Sequence, residues 1–240
     1  MGGIFYLALR RYILKRTQLI TLWKRNFLHY PKTESESMKI FCVGRNYVEH
    51  AKELHNDVPD EPVIFLKPKS ALLQPHVQFY YPEFTNELHY EAELVLRVSK
   101  NGKYIPEYAA NRYFNAITVG IDFTARDVQQ ELKKKGLPWE KAKAWDNSAL
   151  IGEWTDITPE LLKKPFQFSM DLNSETVQRG TSSEMIFSFD RIVANISQYF
   201  SLNIGDLIFT GTPAGVGECV VGDELTGYLE KKQVFSLTVK

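Results

Sequence analysis

Seven short runs rich in β-branched and aromatic residues constrain this chain more than any other feature: Lys39–Val43, Pro62–Leu66, Glu91–Val98, Asn115–Phe123, Phe166–Leu172, Asp206–Phe209 and Gln233–Val239. Each has the length and composition of a strand. Helical periodicity is scarcer, at Tyr47–Leu54, Ala125–Lys135 and Phe189–Phe200, the last with Ser188 placed as its N-cap. Strands crowd the C-terminal half without a regular alternation with helices, so the pattern predicts an α+β fold with a mostly β core.

The 240 residues, 44% hydrophobic and 24% charged, suffice for one sizeable core and show no compositional sign of disorder. A net charge of zero hides an uneven split. Residues 1–37 hold seven basic and two acidic groups, which leaves residues 38–240 with 22 basic and 27 acidic groups, net −5. An acidic body offers no footprint for a phosphate backbone, so nucleic acid is not an expected partner. No run approaches the ~20 apolar residues of a membrane span, so no membrane partner is expected either. Cys42 and Cys219 match no metal or redox spacing and read as small apolar residues of a reducing compartment.

The basic stretch 1–37 has two readings. It resembles a mitochondrial presequence, or it is a misassigned extension upstream of a natural start at Met38. Residues 38–240 then form the main domain, expected in the cytoplasm, or in mitochondria if the stretch is a presequence.

Two carboxylates stand out. A strand places Glu91 and Glu93 on one face, about 7 Å apart at ~3.3 Å per residue. Like charges so close need a counter-cation or a raised pKa. Oxygen-only ligands select a hard cation, Mg²⁺ first, with Mn²⁺ or Ca²⁺ as alternatives. On spacing alone, an edge strand with two solvated acids is the stronger reading of the pair. Asp122, ending a second apolar run, supplies a third acid. Thr124 and Asp127 read as a relative of the capping box for the helix that follows. Lys133, Lys134 and Lys135 before Gly136 suit the negative end of its dipole and need no functional explanation. Arg126 and Gln129 share one face of its first turns.

His50 and Glu53 lie three apart on the first predicted helix, for which Asn46 reads as N-cap and Glu49 as N3. A carboxylate-oriented imidazole suits base chemistry near pH 7, although a solvated pair fits the same spacing. His29, His55, His76 and His89 show no ligand spacing, and the glycine-rich Gly211–Gly217 turn lacks the lysine of a nucleotide loop.

Six motifs in order, Gly44-Arg45-Asn46-Tyr47, His50-x-x-Glu53, Glu91-x-Glu93, Gly120-x-Asp122-x-Thr124-x-Arg126-Asp127-x-Gln129, Lys143 before Asp146-Asn147-Ser148, and Gly211-Thr212-Pro213-Ala214-Gly215-Val216-Gly217, resemble the fumarylacetoacetate hydrolase family, in its acylpyruvate hydrolase-like branch. The resemblance implies a mixed β-sandwich roll, a homodimer, and a divalent cation on Glu91, Glu93 and Asp122. It implies a small 2-oxo acid substrate bound by Arg45, Arg126, Gln129 and Thr212, with Lys143 beside the developing oxyanion and His50 and Glu53 activating water. The expected reaction is C–C hydrolysis of an acylpyruvate. Oxaloacetate decarboxylation or tautomerisation, and isomerisation or hydration of 2-hydroxyhepta-2,4-diene-1,7-dioate, share the same enolate. Ala144-Trp145-Asp146 departs from the proline and aromatic that many relatives carry there. Lys67-Pro68-Lys69-Ser70 falls beside the metal by resemblance, while a solvated turn explains its charges as well.

Overall fold

The computed structural model describes residues 38–49 and 58–240. Residues 1–37, His50 and Glu53 lie outside them. The main sheet contains β1 (Ile40–Gly44), β2 (Val63–Lys67), β4 (Ala92–Val98), β5 (Phe114–Asp122), β7 (Ala149–Ile151), β8 (Thr155–Asp156) and β11 (Leu207–Phe209). Its order is β2-β1-β11-β4-β5-β7, with β8 also on β5. β1 and β11 run parallel and the other pairs antiparallel. A second sheet has the order β10-β9-β13-β14, from β9 (Gln167–Leu172), β10 (Glu175–Thr181), β13 (Glu224–Leu229) and β14 (Lys232–Thr238). A small third sheet joins β12 (Gly217–Glu218), β3 (Leu88–Tyr90) and β6 (Thr124–Ala125). Among the described residues the named α-helices are α1 (Arg126–Lys134), α2 (Glu140–Lys143) and α3 (Phe189–Tyr199). The α+β, mostly β expectation is met.

The main sheet is apolar on both faces, because each is covered. Phe41, Leu94, Leu96, Ile117, Val119 and Ile121 pack with Phe168, Met170 and Leu225 of the second sheet and with Ile192 and Ile196 of α3. The alternate residues Ile40, Cys42, Val95, Leu207 and Phe209 form a smaller cluster on the other face. Strand alternation puts Glu93 on that second face with Val95, and Asp122 there with Gly120. Gly120 is required where it stands, since a Cβ would come 2.5 Å from the Leu150 carbonyl oxygen and 2.8 Å from Val95.

Several local expectations shift. β4 is an interior strand between β11 and β5, so Glu93 is not on a solvated edge. Glu91 precedes β4 rather than opening it. Ser188 caps α3 as expected, accepting from the Arg191 N–H. Thr124 does not cap α1: its hydroxyl turns to the Asp122 carbonyl, Ala125 holds the N-cap position, and the Asp127 carboxylate accepts from Thr85 and from the Asn86 N–H. Thr124 is held extended by β6, which leaves the cap one residue later. Asn46 is no helix cap either. Its buried amide donates to the Phe187 and Thr210 carbonyls and accepts from the Phe187 N–H.

Candidate functional site

Glu91 and Asp122 mark the seam where two neighbouring strands leave one sheet for another. The chain passes from β3 in the small sheet through Glu91 into β4, and from β5 through Asp122 and Phe123 into β6. β3 pairs with β6 and β4 with β5, so both crossings occur side by side, bridged by the Asp122 N–H donating to the Glu91 carbonyl at 2.9 Å. At such a seam the pleat is interrupted, and both carboxylates turn into the same space. Glu93, one register step into β4, completes the group. One oxygen from each of the three buried acids lies within 4.8 Å of the others, and the cleft above them is also lined by Val43, Arg45, Phe65, Arg126, Gln129, Lys133, Trp139, Lys143 and Thr212.

Three cations neutralise two of the acids. Lys143 Nζ lies 2.7 Å from Glu91 Oε2 and 2.8 Å from Asp122 Oδ2. Burial alone would lower the Lys143 ammonium, but the carboxylates of Asp122 and Glu91 hold it above the usual lysine value. Arg126 Nη2 sits 2.5 Å from Glu91 Oε1, and its Nη1 donates to Gln129 Oε1 at 2.7 Å. Its Nε donates to His89 Nδ1, and burial together with the Arg126 charge pushes that imidazole down to about 4. His89 therefore stays neutral near pH 7. Lys67 approaches from beneath, 2.7 Å from Asp122 Oδ1, and also donates to the Ser148 carbonyl and hydroxyl and to the Lys143 carbonyl. Its side chain is fully buried, so the solvated-turn reading of Lys67 is wrong.

Among the described residues Glu93 has no such cation. Its Oε2 accepts from the Gly211 N–H at 2.7 Å, yet burial, then the charges of Asp122 and Glu91, raise its carboxyl well above the usual carboxylate range. An acid triad whose buried central member lacks a counter-charge is what a divalent cation would complete. The donor set, all carboxylate oxygen, suits a hard cation.

The seam thus brings together Glu91, Glu93, Asp122, Arg126, Gln129 and Lys143, with Arg45 and Thr212 on the cleft wall. Thr212 is more constrained than expected. Its hydroxyl proton goes to the Ala92 carbonyl at 2.9 Å, and the same oxygen accepts from Gln178 Nε2 at 2.8 Å. Gln178, on β10 and 1% exposed, also accepts from the Ala92 N–H and donates to the Pro213 carbonyl. It ties the second sheet to the start of β4 and to the glycine-rich turn. Nothing local in the sequence signals that role, since its partners lie 34 to 86 residues away.

A family model for the fumarylacetoacetate (FAA) hydrolase C-terminal domain matches residues 39–240. The chain belongs to the fumarylacetoacetate hydrolase family. It is 42% identical over 188 residues to the mitochondrial oxaloacetate tautomerase of Mus musculus, covering 78% of this chain and 84% of that one. It is 37% identical over 206 residues to an oxaloacetate tautomerase of Escherichia coli K12, covering 85% and 91%. Among solved structures, fumarylpyruvate hydrolase from Pseudomonas aeruginosa, in complex with Mn²⁺ and pyruvate, aligns with a TM-score of 0.79 at 35% identity, covering 84% of this chain and 88% of that one. Members of the family are enzymes, and the curled, mostly β architecture is theirs. Among the described residues no helix is long and apolar enough to cross a membrane.

Proposed function

We propose that the protein is a divalent-cation-dependent enzyme acting on a small 2-oxo acid, with keto–enol tautomerisation of oxaloacetate as its reaction. The observation that carries this reading is the buried triad, in which Glu93 lacks a cation among the described residues. Mg²⁺ fits the oxygen ligands, with Mn²⁺ or Ca²⁺ as substitutes. A cation held by Glu91, Glu93 and Asp122 would bind a 2-oxo acid through one carboxylate oxygen and the keto oxygen and draw electrons from that keto group.

The protein's own residues do the rest. Lys143, held protonated by Glu91 and Asp122, places positive charge beside the keto oxygen where negative charge grows as C3 loses a proton. Gln129 has its oxygen committed to Arg126, which leaves its amide N–H groups to orient the substrate carboxylate. Arg126 is itself fixed by Glu91, Gln129 and His89, so it acts chiefly by holding Glu91 and Gln129 in place. His50 and Glu53 are assigned the proton transfer at C3. Tautomerisation asks only for proton movement, and relatives 37–42% identical bear that activity in their names.

A second reading, hydrolysis of an acylpyruvate, uses the same head-group contacts and asks His50 and Glu53 to activate water. It is supported by the likeness to a fumarylpyruvate hydrolase in complex with pyruvate. The two separate in one experiment. Protein with Mg²⁺ is supplied in parallel with the enol form of oxaloacetate and with acetylpyruvate, and enol decay and pyruvate release are followed. Enol decay far above the rate with Mg²⁺ alone is expected; no acceleration of either substrate would sink the reading.

A further inference from the structure

Phe65 stands at the middle of β2, and strand alternation sets it on the face that also carries Lys67, while Ile64 and Leu66 turn to the core. β2 thus sends one side chain beneath Asp122 and an aromatic ring to the cleft above it. Trp139 occupies the link between α1 and α2. Its carbonyl accepts from the Ala142 and Lys143 N–H groups, both at 2.9 Å, so the indole rides on the same turn that delivers Lys143 to Glu91 and Asp122. The two rings meet edge-on, with centroids 6.0 Å apart. Each also faces a cation: Lys143 Nζ lies 5.3 Å from the Phe65 centroid and Lys133 Nζ 5.6 Å from that of Trp139.

The pair stands between two spaces of different size and character. On one side is the cleft over the three acids, about 40 Å³ in volume, with Arg126 and Lys143 on its walls. On the other is a pocket of about 260 Å³ along β2, and Phe65, Trp139 and Lys143 line both. The rest of that pocket is Val63, Ile64, Leu66, Leu137, Pro138 and Glu140, so a carbon chain passing the rings would meet a mainly apolar surface.

We propose that Phe65 and Trp139 set the chain length the cleft accepts, their rings closing it off from an apolar pocket into which a longer 2-oxo acid extends once the indole is removed. This rests on the 2-oxo acid reading above. The acids that would hold the head group lie at β4 and β5, elements that carry neither ring. Truncating a ring therefore changes the room beyond the head group rather than the ligands beneath it.

The test uses full-length protein loaded with Mg²⁺ and two stable probes that share the head group and differ by four methylenes, 2-oxobutyrate and 2-oxooctanoate, titrated calorimetrically. Each methylene moved from water to an apolar surface is worth about fourfold in affinity. The native protein is expected to bind 2-oxooctanoate no more tightly than 2-oxobutyrate, because the rings deny the chain that surface. Trp139→Ala is expected to shift the ratio at least tenfold toward 2-oxooctanoate, and Trp139→Phe, which keeps a ring in place, to hold it near the native value. Phe65→Ala should shift the ratio in the same direction, which keeps the proposal testable if Trp139→Ala fails to fold. A native protein that already favours 2-oxooctanoate tenfold would show the pocket open and overturn the partition while leaving the 2-oxo acid reading intact. Alanine variants that keep the native ratio, or that weaken both probes in step, would assign the rings a structural role and overturn it as well. If neither probe binds in the presence of Mg²⁺, the 2-oxo acid reading fails and the partition falls with it.

Discussion

Lys67 Nζ lies 2.7 Å from Asp122 Oδ1, and the two side chains are 0% and 1% exposed. The ammonium also donates to Ser148, so its charge is fully spent on holding one wall of the site. Removing Lys67 strips Asp122 Oδ1 of its cation while Lys143 still holds Oδ2, so the cost lies below the ~3–5 kcal/mol of a buried charge left without any partner. Lys67→Met is therefore expected to lower the unfolding free energy by about 1–3 kcal/mol in urea titrations of the metal-free protein. No measurable loss would mean that Lys143 alone neutralises Asp122 or that Asp122 takes up a proton.

Glu93 sets the pH dependence. In the folded, metal-free protein its carboxyl is raised, first by burial and then by Asp122 and Glu91. Between the ordinary carboxylate value and that raised one, the folded state holds a proton that the unfolded chain has released. Stability of the metal-free protein thus falls as pH rises through this window. A divalent cation favours the ionised form and offsets the loss. The melting-temperature gain from adding MgCl₂ in place of EDTA is expected to be larger at pH 8 than at pH 5. A gain independent of pH would show that Glu93 is ionised throughout.

Glu93→Gln separates folding from metal binding. The amide oxygen can still accept from the Gly211 N–H, while the buried like charge is gone. The metal-free variant is expected to be more stable than the native protein at pH 8 and to lose the fall in stability with rising pH. Its affinity for Mn²⁺ should drop by more than the roughly 10–100-fold lost when an outer-shell partner is removed. Urea unfolding and calorimetric Mn²⁺ titration measure the two effects. Destabilisation together with retained Mn²⁺ affinity would remove Glu93 from the site.

These features were unequally legible in the sequence. Seven apolar runs each became a strand within a residue or two, because β-branched composition and covered sheet faces point the same way. The acids Glu91, Glu93 and Asp122 were visible since two of them sit close in sequence and the third ends an apolar run. Strands β10 and β13 were missed: their exposed polar faces, as in Glu175–Thr181, dilute the apolar signal. Local capping rules misplaced Thr124 and Asn46, whose side chains answer to contacts up to 164 residues away. Lys67 looked like a solvated charge for the same reason, as spacing along the chain cannot report an Asp122 brought in by the fold.

Gly211 joins the fold to the site in one residue. Its φ of +101° lies in the region glycine alone occupies readily, and a Cβ there would come 2.6 Å from the Asn46 Cβ. The Asn46 amide cannot give way cheaply, being bonded to Thr210 and Phe187 on both of its polar atoms. Meanwhile the Gly211 N–H is what holds Glu93 Oε2. Gly211→Ala should therefore cost both strain and clash, about 2–4 kcal/mol in all, and should displace a metal ligand. Gly222 serves as the control: its φ of +100° is nearly the same, but nothing lies within 4 Å of an added Cβ. Gly222→Ala should cost only the backbone strain, about 1 kcal/mol, and leave Mn²⁺ affinity untouched. Equal destabilisation by the two substitutions, with equal Mn²⁺ binding, would show that Asn46 yields and that the Gly211 N–H does not position Glu93.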